Sequence, residues 1–73
     1  MHQEIRLLEV VALLTDLPER GLRRGQVGTV VEIFTPDAFD VEFCDDQGRS
    51  YALLSLRSEQ LLPLYFQSSA EVA

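Results

Sequence analysis

The sequence predicts an all-β fold: a small five-stranded barrel with a short helical turn before its last strand. Three observations carry that expectation. In Arg24-Gly25-Gln26-Val27-Gly28-Thr29-Val30-Val31-Glu32-Ile33-Phe34 a glycine turn runs straight into a β-branched strand. A second glycine early in that strand marks a sharp bend with another backbone close by. Phe39, Val41 and Phe43 alternate with Asp40, Glu42 and Cys44, the period of two of a half-exposed strand. Asp45-Asp46-Gln47-Gly48 then supplies hairpin chemistry, with Gly48 suited to a positive φ.

The elements follow in order. Met1 to Glu4 form a polar leader holding His2, the sole histidine. Ile5 to Leu14 is dense in Leu and Val, and periodicity alone fits either a helical stripe through Leu7, Leu8, Val11 and Leu14 or a doubly buried strand. A strand over Glu9 to Leu14 is preferred, with room for a turn of helix before it. Thr15 to Gly25 carries Pro18, Gly21 and Gly25 among charges and reads as an excursion between strands. Thr35-Pro36-Asp37 breaks the second strand, the alternating segment makes the third, and Ser50 to Leu56 makes the fourth, paired with the third as a hairpin. Ser58-Glu59-Gln60-Leu61 reads as one helical turn capped by Ser58, after which Leu62-Pro63-Leu64-Tyr65 resumes extended chain. Pro63 assigns that last strand to a sheet edge or to its own first residue. Residues 1–66 thus form one domain, and 67–73 a frayed tail.

Composition bounds the function. With 47% hydrophobic and 25% charged residues over 73 positions, the chain is too apolar to stay disordered. A net charge of -6, with no lysine among the basic residues, argues against a nucleic-acid backbone as the main partner. The single Cys44 excludes an internal disulfide, and no Cys or His cluster suggests a metal site. The longest apolar run, Leu61 to Phe66, is too short to span a bilayer, so a cytoplasmic location is the default.

Candidate chemistry is sparse. Asp37, Asp40, Glu42, Asp45 and Asp46 lack the spacing of a calcium loop and read as a turn and a solubilising face. Gly21, Gly25 and Gly28 precede a strand and no Gly-Lys-Ser/Thr, so they are turn glycines rather than a phosphate cradle. Neither His2 nor Cys44 has the neighbours of a nucleophile or base. No catalytic residue, cofactor or metal is expected. The one basic concentration is Arg20, Arg23 and Arg24, half of the six basic residues in a single loop. With Arg57 they suit an acidic protein partner, and Leu54 is a candidate exposed apolar contact. Val10 to Leu14, Val30-Val31 and Leu53-Leu54 offer grease to both faces of a sheet that has one interior. The surplus points to a covering leader, a second copy of the chain, or a different protein, and the edge at Leu62 to Phe66 is a further place for a strand to add.

Five short strands, a long first loop and a helical turn before the last strand match the order of an SH3-like barrel. Arg24 to Val31 is similar to the glycine-centred core of KOW-type barrels, which implies an RNA- or ribosome-associated alternative. More of the chain, from Leu7 to Tyr65, resembles the bacterial and cyanobacterial family catalogued as domain of unknown function 4926. The likeness lies in Val10 to Glu19, Arg24 to Glu32, Tyr51-Ala52-Leu53-Leu54 and Gln60-Leu61-Leu62-Pro63-Leu64. That resemblance implies a small stand-alone barrel and, because some members are encoded beside toxin-like genes, a neutralising partner role. Leu17-Pro18 and Arg24-Gly25-Gln26-Val27-Gly28 are also similar to the nitrile hydratase small-subunit barrel and its activators, implying an enzyme accessory subunit; the helical segment and cysteine motifs of those proteins are missing here.

Overall fold

A computed structural model describes residues 5–64. The expectations for the leader, Tyr65, Phe66 and the tail lie outside the described residues. Five strands form one antiparallel sheet in the order β4-β3-β2-β1-β5, with β1 at Val10–Leu13, β2 at Val27–Thr35, β3 at Ala38–Cys44, β4 at Ser50–Arg57 and β5 at Leu61–Pro63. The only helical elements among the described residues are two 3-10 turns, Pro18–Arg20 and Ser58–Gln60. No helix among them is long and apolar enough to cross a membrane.

The strand expectations hold with small shifts. The region before β1 is a turn rather than a helix: Glu9 N–H donates to the Arg6 carbonyl, and Arg6 N–H to the Glu9 carboxylate. Ser58 does not cap the second 3-10 turn but begins it; Arg57 stands at the cap, and its N–H donates to Gln60 Oε1 at 2.9 Å. Gly48 has φ +81 and its N–H donates to the Asp45 carbonyl, closing the β3–β4 hairpin.

Backbone pairing does not close the sheet: β4 and β5 are its two edges and no ladder joins them. The expectation of a closed ring is corrected to a curled, open sheet. Curling is forced by chain length. In a flat sheet the outer two of five strands lie about 19 Å apart, whereas β4 and β5 are consecutive and separated by Ser58–Gln60 alone, a 3-10 segment rising about 6 Å. Two features let the sheet bend. At Gly28 an added Cβ would lie 2.7 Å from Val41 Cγ1 and 2.9 Å from the Glu42 carbonyl oxygen, so only glycine allows β3 to approach. Between Val30 and Glu32 the β2–β3 register slips, a bulge at Val31 that turns β2 away from β1.

The inside of the curl is the core. Phe39, Val41 and Phe43 are buried on β3, with Val11, Leu13, Val30, Leu54, Leu56 and Leu61 from the other strands. Leu22 joins them from the long first loop, at 2% exposure. No buried side-chain nitrogen or oxygen among the described residues lacks a hydrogen-bond partner.

Candidate functional site

The arginine loop is built from Thr15 to Gly25 and is held at both ends. Leu17 and Leu22 exchange backbone hydrogen bonds of 2.9 and 3.0 Å across Pro18–Arg20, and Gly21 turns the chain with φ +70. Buried Leu22 anchors the tip to the core. Arg24 N–H donates to Asp16 Oδ1 at 2.8 Å, and Gly25, with φ +96, donates its N–H to the Leu13 carbonyl at 2.8 Å. Arg23 N–H donates to Gln26 Oε1, while Gln26 Nε2 donates to the Tyr51 hydroxyl at 2.9 Å. The backbone is therefore pinned while Arg20, Arg23 and Arg24 stand exposed, none of them in an ion pair among the described residues. Arg23 and Arg24 line an open depression with Asp16, Pro18, Gly21 and Leu22.

Arg57 is not brought into this group by any contact. It ends β4, where its guanidinium lies 3.9 Å from Asp37 and 3.5 Å from Glu59, exposed pairs that contribute little to stability. Leu54 is also placed elsewhere. The register pairs it with Val41, whose side chain is fully buried, so Leu54 enters the core and its neighbour Leu53, at 53% exposure, faces outward. Alternation along β4 decides this, because adjacent side chains take opposite faces. Tyr51 and Phe34 are half exposed, and Tyr51 leans over Phe43 with ring centroids 6.4 Å apart.

The outer face of the sheet divides in two. Ala12 pairs with Val27 on one side and Leu62 on the other, so these three side chains form one row across β2, β1 and β5. Ala12 is buried between exposed Val27 and Leu62, a shallow apolar groove with a small-residue floor. Gly25 and Gln26 bond to Leu13, one residue along the ladder, which sets Arg23 and Arg24 at the end of that groove. On β3 and β4 the same face carries Glu42 opposite Leu53, and Asp40 opposite Ser55, whose hydroxyl donates to Asp40 Oδ1 at 2.7 Å. Sequence reading missed the groove because Val27, beside a glycine, gives no sign of which neighbours flank it. Exposed Leu8 was equally invisible; its φ of +66 is a left-handed conformation that bulky residues seldom adopt.

Over Leu61–Pro63 the β5 edge is poorly suited to strand addition; Tyr65 and Phe66 of the expected Leu62 to Phe66 edge lie outside the described residues. Bonds from Leu14 N–H to the Gln60 carbonyl and from Leu64 N–H to the Val10 carbonyl turn the even-numbered residues toward β1. The open side therefore belongs to Leu61, whose N–H is given to the Ser58 carbonyl, and Pro63, which has none.

The acidic residues do not gather: no group of three or more metal-ligating side chains exists among the described residues. Asp45 instead accepts the N–H groups of Arg49 and Gln47, each at 2.9 Å. These bonds, Arg49's first, hold its carboxyl below the ordinary carboxylate range, with the Arg49 side chain adding to the effect. Cys44 is exposed at the end of β3.

A family model described as Domain of unknown function (DUF4926) matches residues 7–63. No curated protein and no solved structure matches the chain.

Proposed function

The chain belongs to the DUF4926 family, and from that premise and the geometry above we propose a non-enzymatic protein-interaction module on an SH3-like barrel. The strand order, the 3-10 turn ahead of β5 and the enforced curl support the barrel reading. The observation that carries the function is one juxtaposition. Unpaired Arg23 and Arg24 stand on a pinned loop at the end of the Val27–Ala12–Leu62 groove, in a chain whose net charge is -6. Local cations on an acidic protein steer a partner segment that bears carboxylates, and the groove supplies burial for an apolar side chain beside them. The most concrete version is neutralisation of a protein partner in a toxin-antitoxin-like pair, in the cytoplasm.

Copurification from the encoding organism tests this. Wild-type chain is expected to retain one polypeptide in fixed stoichiometry, and the Arg23→Glu/Arg24→Glu variant to lose it. A salt-titrated RNA binding assay runs beside it. Tight RNA binding at low salt, abolished by the same variant, would replace the protein partner with the nucleic-acid alternative.

A further inference from the structure

We propose that two copies of the chain pair along the open edge of β4, with a two-fold axis through Ser55. This surface is separate from the arginine loop, so either reading can fail without the other.

Backbone geometry selects the edge. Ser58 N–H donates to the Asp37 carbonyl, which makes Asp37 and Ser58 a hydrogen-bonded pair. Two residues on, Phe39 and Leu56 are another, and Val41 and Leu54 a third. The intervening Leu53, Ser55 and Arg57 thus direct their backbone groups away from β3. Arg57 N–H is taken by Gln60 Oε1 and its carbonyl closes the 3-10 turn Ser58–Gln60, but among the described residues Leu53 and Ser55 keep outward donors and Ser55 an outward carbonyl. The β5 edge offers no free donor among Leu61 and Pro63, so β4 is the edge at which another strand can add.

Charge and symmetry select a second copy. Placed antiparallel about Ser55, each Ser55 N–H meets the other copy's Ser55 carbonyl, and each Leu53 N–H meets the other copy's Arg57 carbonyl. The two Ser55 bonds use groups that the described residues leave open, and the two Leu53 bonds use the second lone pair of an Arg57 carbonyl that already closes the 3-10 turn. On the outer face this register sets Leu53 against the stem of the other copy's Arg57. Glu42, paired with Leu53 on β3 and in no ion pair among the described residues, then lies two strand spacings, about 10 Å, from that arginine. Both side chains are long enough to meet across that gap, and the two-fold makes the contact twice. Because the shared edge is short, the dimer is weak and concentration-dependent.

The test is molar mass by sedimentation equilibrium from micromolar to about 1 mM chain, a range that covers weak dimers. The mass is expected to rise from 8.3 kDa toward twice that value. Leu53→Pro, which deletes an N–H the fold does not use, is expected to weaken the dimer at least about tenfold, the loss that attends one or two hydrogen bonds. Leu53→Lys, which sets a cation against Arg57 of the other copy, is expected to do the same should the proline variant fail to fold. Leu62→Lys on the opposite edge is the control and leaves the dimer intact. Glu42→Arg weakens it, and Glu42→Arg/Arg57→Glu restores it. A monomer throughout the range, a dimer indifferent to both Leu53 variants, or no restoration in the charge-swapped pair would overturn the proposal.

Discussion

Gln26 Nε2 donates to the Tyr51 hydroxyl at 2.9 Å, joining the start of β2 to the start of β4 across the intervening strand. Through Gln26 Oε1, which accepts Arg23 N–H, the bond also ties the arginine loop to the sheet. Tyr51→Phe keeps the ring over Phe43 and removes only the acceptor. A net hydrogen bond is worth about 0.5–1.5 kcal/mol, so the Arg23 amide is expected to exchange with solvent up to about tenfold faster. Amide exchange followed by NMR checks this, with global stability nearly unchanged.

The facing of β4 is tested by a pair of neighbours. Leu54→Ala leaves a cavity beside Val41 and is expected to cost about 2–5 kcal/mol, the range for buried leucine truncation. Leu53→Ala removes an exposed side chain and is expected to cost less than about 1 kcal/mol. Urea unfolding separates the two, and equal losses would contradict the register Val41 with Leu54.

That pair also shows what the sequence made legible. Phe39, Val41 and Phe43 announce their facing because every second neighbour is polar. Gly48 and Pro63 carry backbone rules that hold wherever the chain goes, so the hairpin and the edge were both readable. In Tyr51-Ala52-Leu53-Leu54-Ser55-Leu56 both phases are apolar over Ala52 to Leu54, and the choice rests with partner residues nine to thirteen positions away. The arginine cluster was legible as composition. Its separation from Arg57, and its place at the end of a groove made by Val27, Ala12 and Leu62, depend on three strands meeting, which local pattern does not encode.

Gly28→Ala is expected to destabilise the fold by about 1–3 kcal/mol, the cost of forcing atoms into a packed site. The new Cβ meets the Glu42 backbone oxygen at 2.9 Å as well as the movable Val41 side chain. Gly48→Ala meets no atom but must hold φ +81, an expected loss of about 1–2 kcal/mol through backbone strain alone. Denaturant midpoints, with a crystal structure of the Gly28 variant showing β3 displaced, check both.

The β3–β4 hairpin should sense acid through Asp45. Its carboxyl titrates below the unfolded value because backbone N–H groups of Arg49 and Gln47 stabilise the charged form. The stabilisation is thus present above the unfolded value near pH 4 and is lost as pH falls through the lower folded value. Asp45→Asn is expected to lower the melting temperature at pH 7, with the gap to wild type closing in stronger acid. A gap constant down to pH 2 would contradict the assignment.

The central claim, that charge on a pinned loop and an adjoining apolar groove capture a protein partner, is tested most directly by one comparison. Wild type, Arg23→Glu/Arg24→Glu and Leu53→Pro chains are each copurified from the encoding organism, and bound polypeptide is quantified against chain. The account predicts one stoichiometric polypeptide on wild type and on Leu53→Pro, and at least about a tenfold loss on the charge-reversed chain. Equal retention on all three, or no stoichiometric polypeptide on wild type, would contradict it.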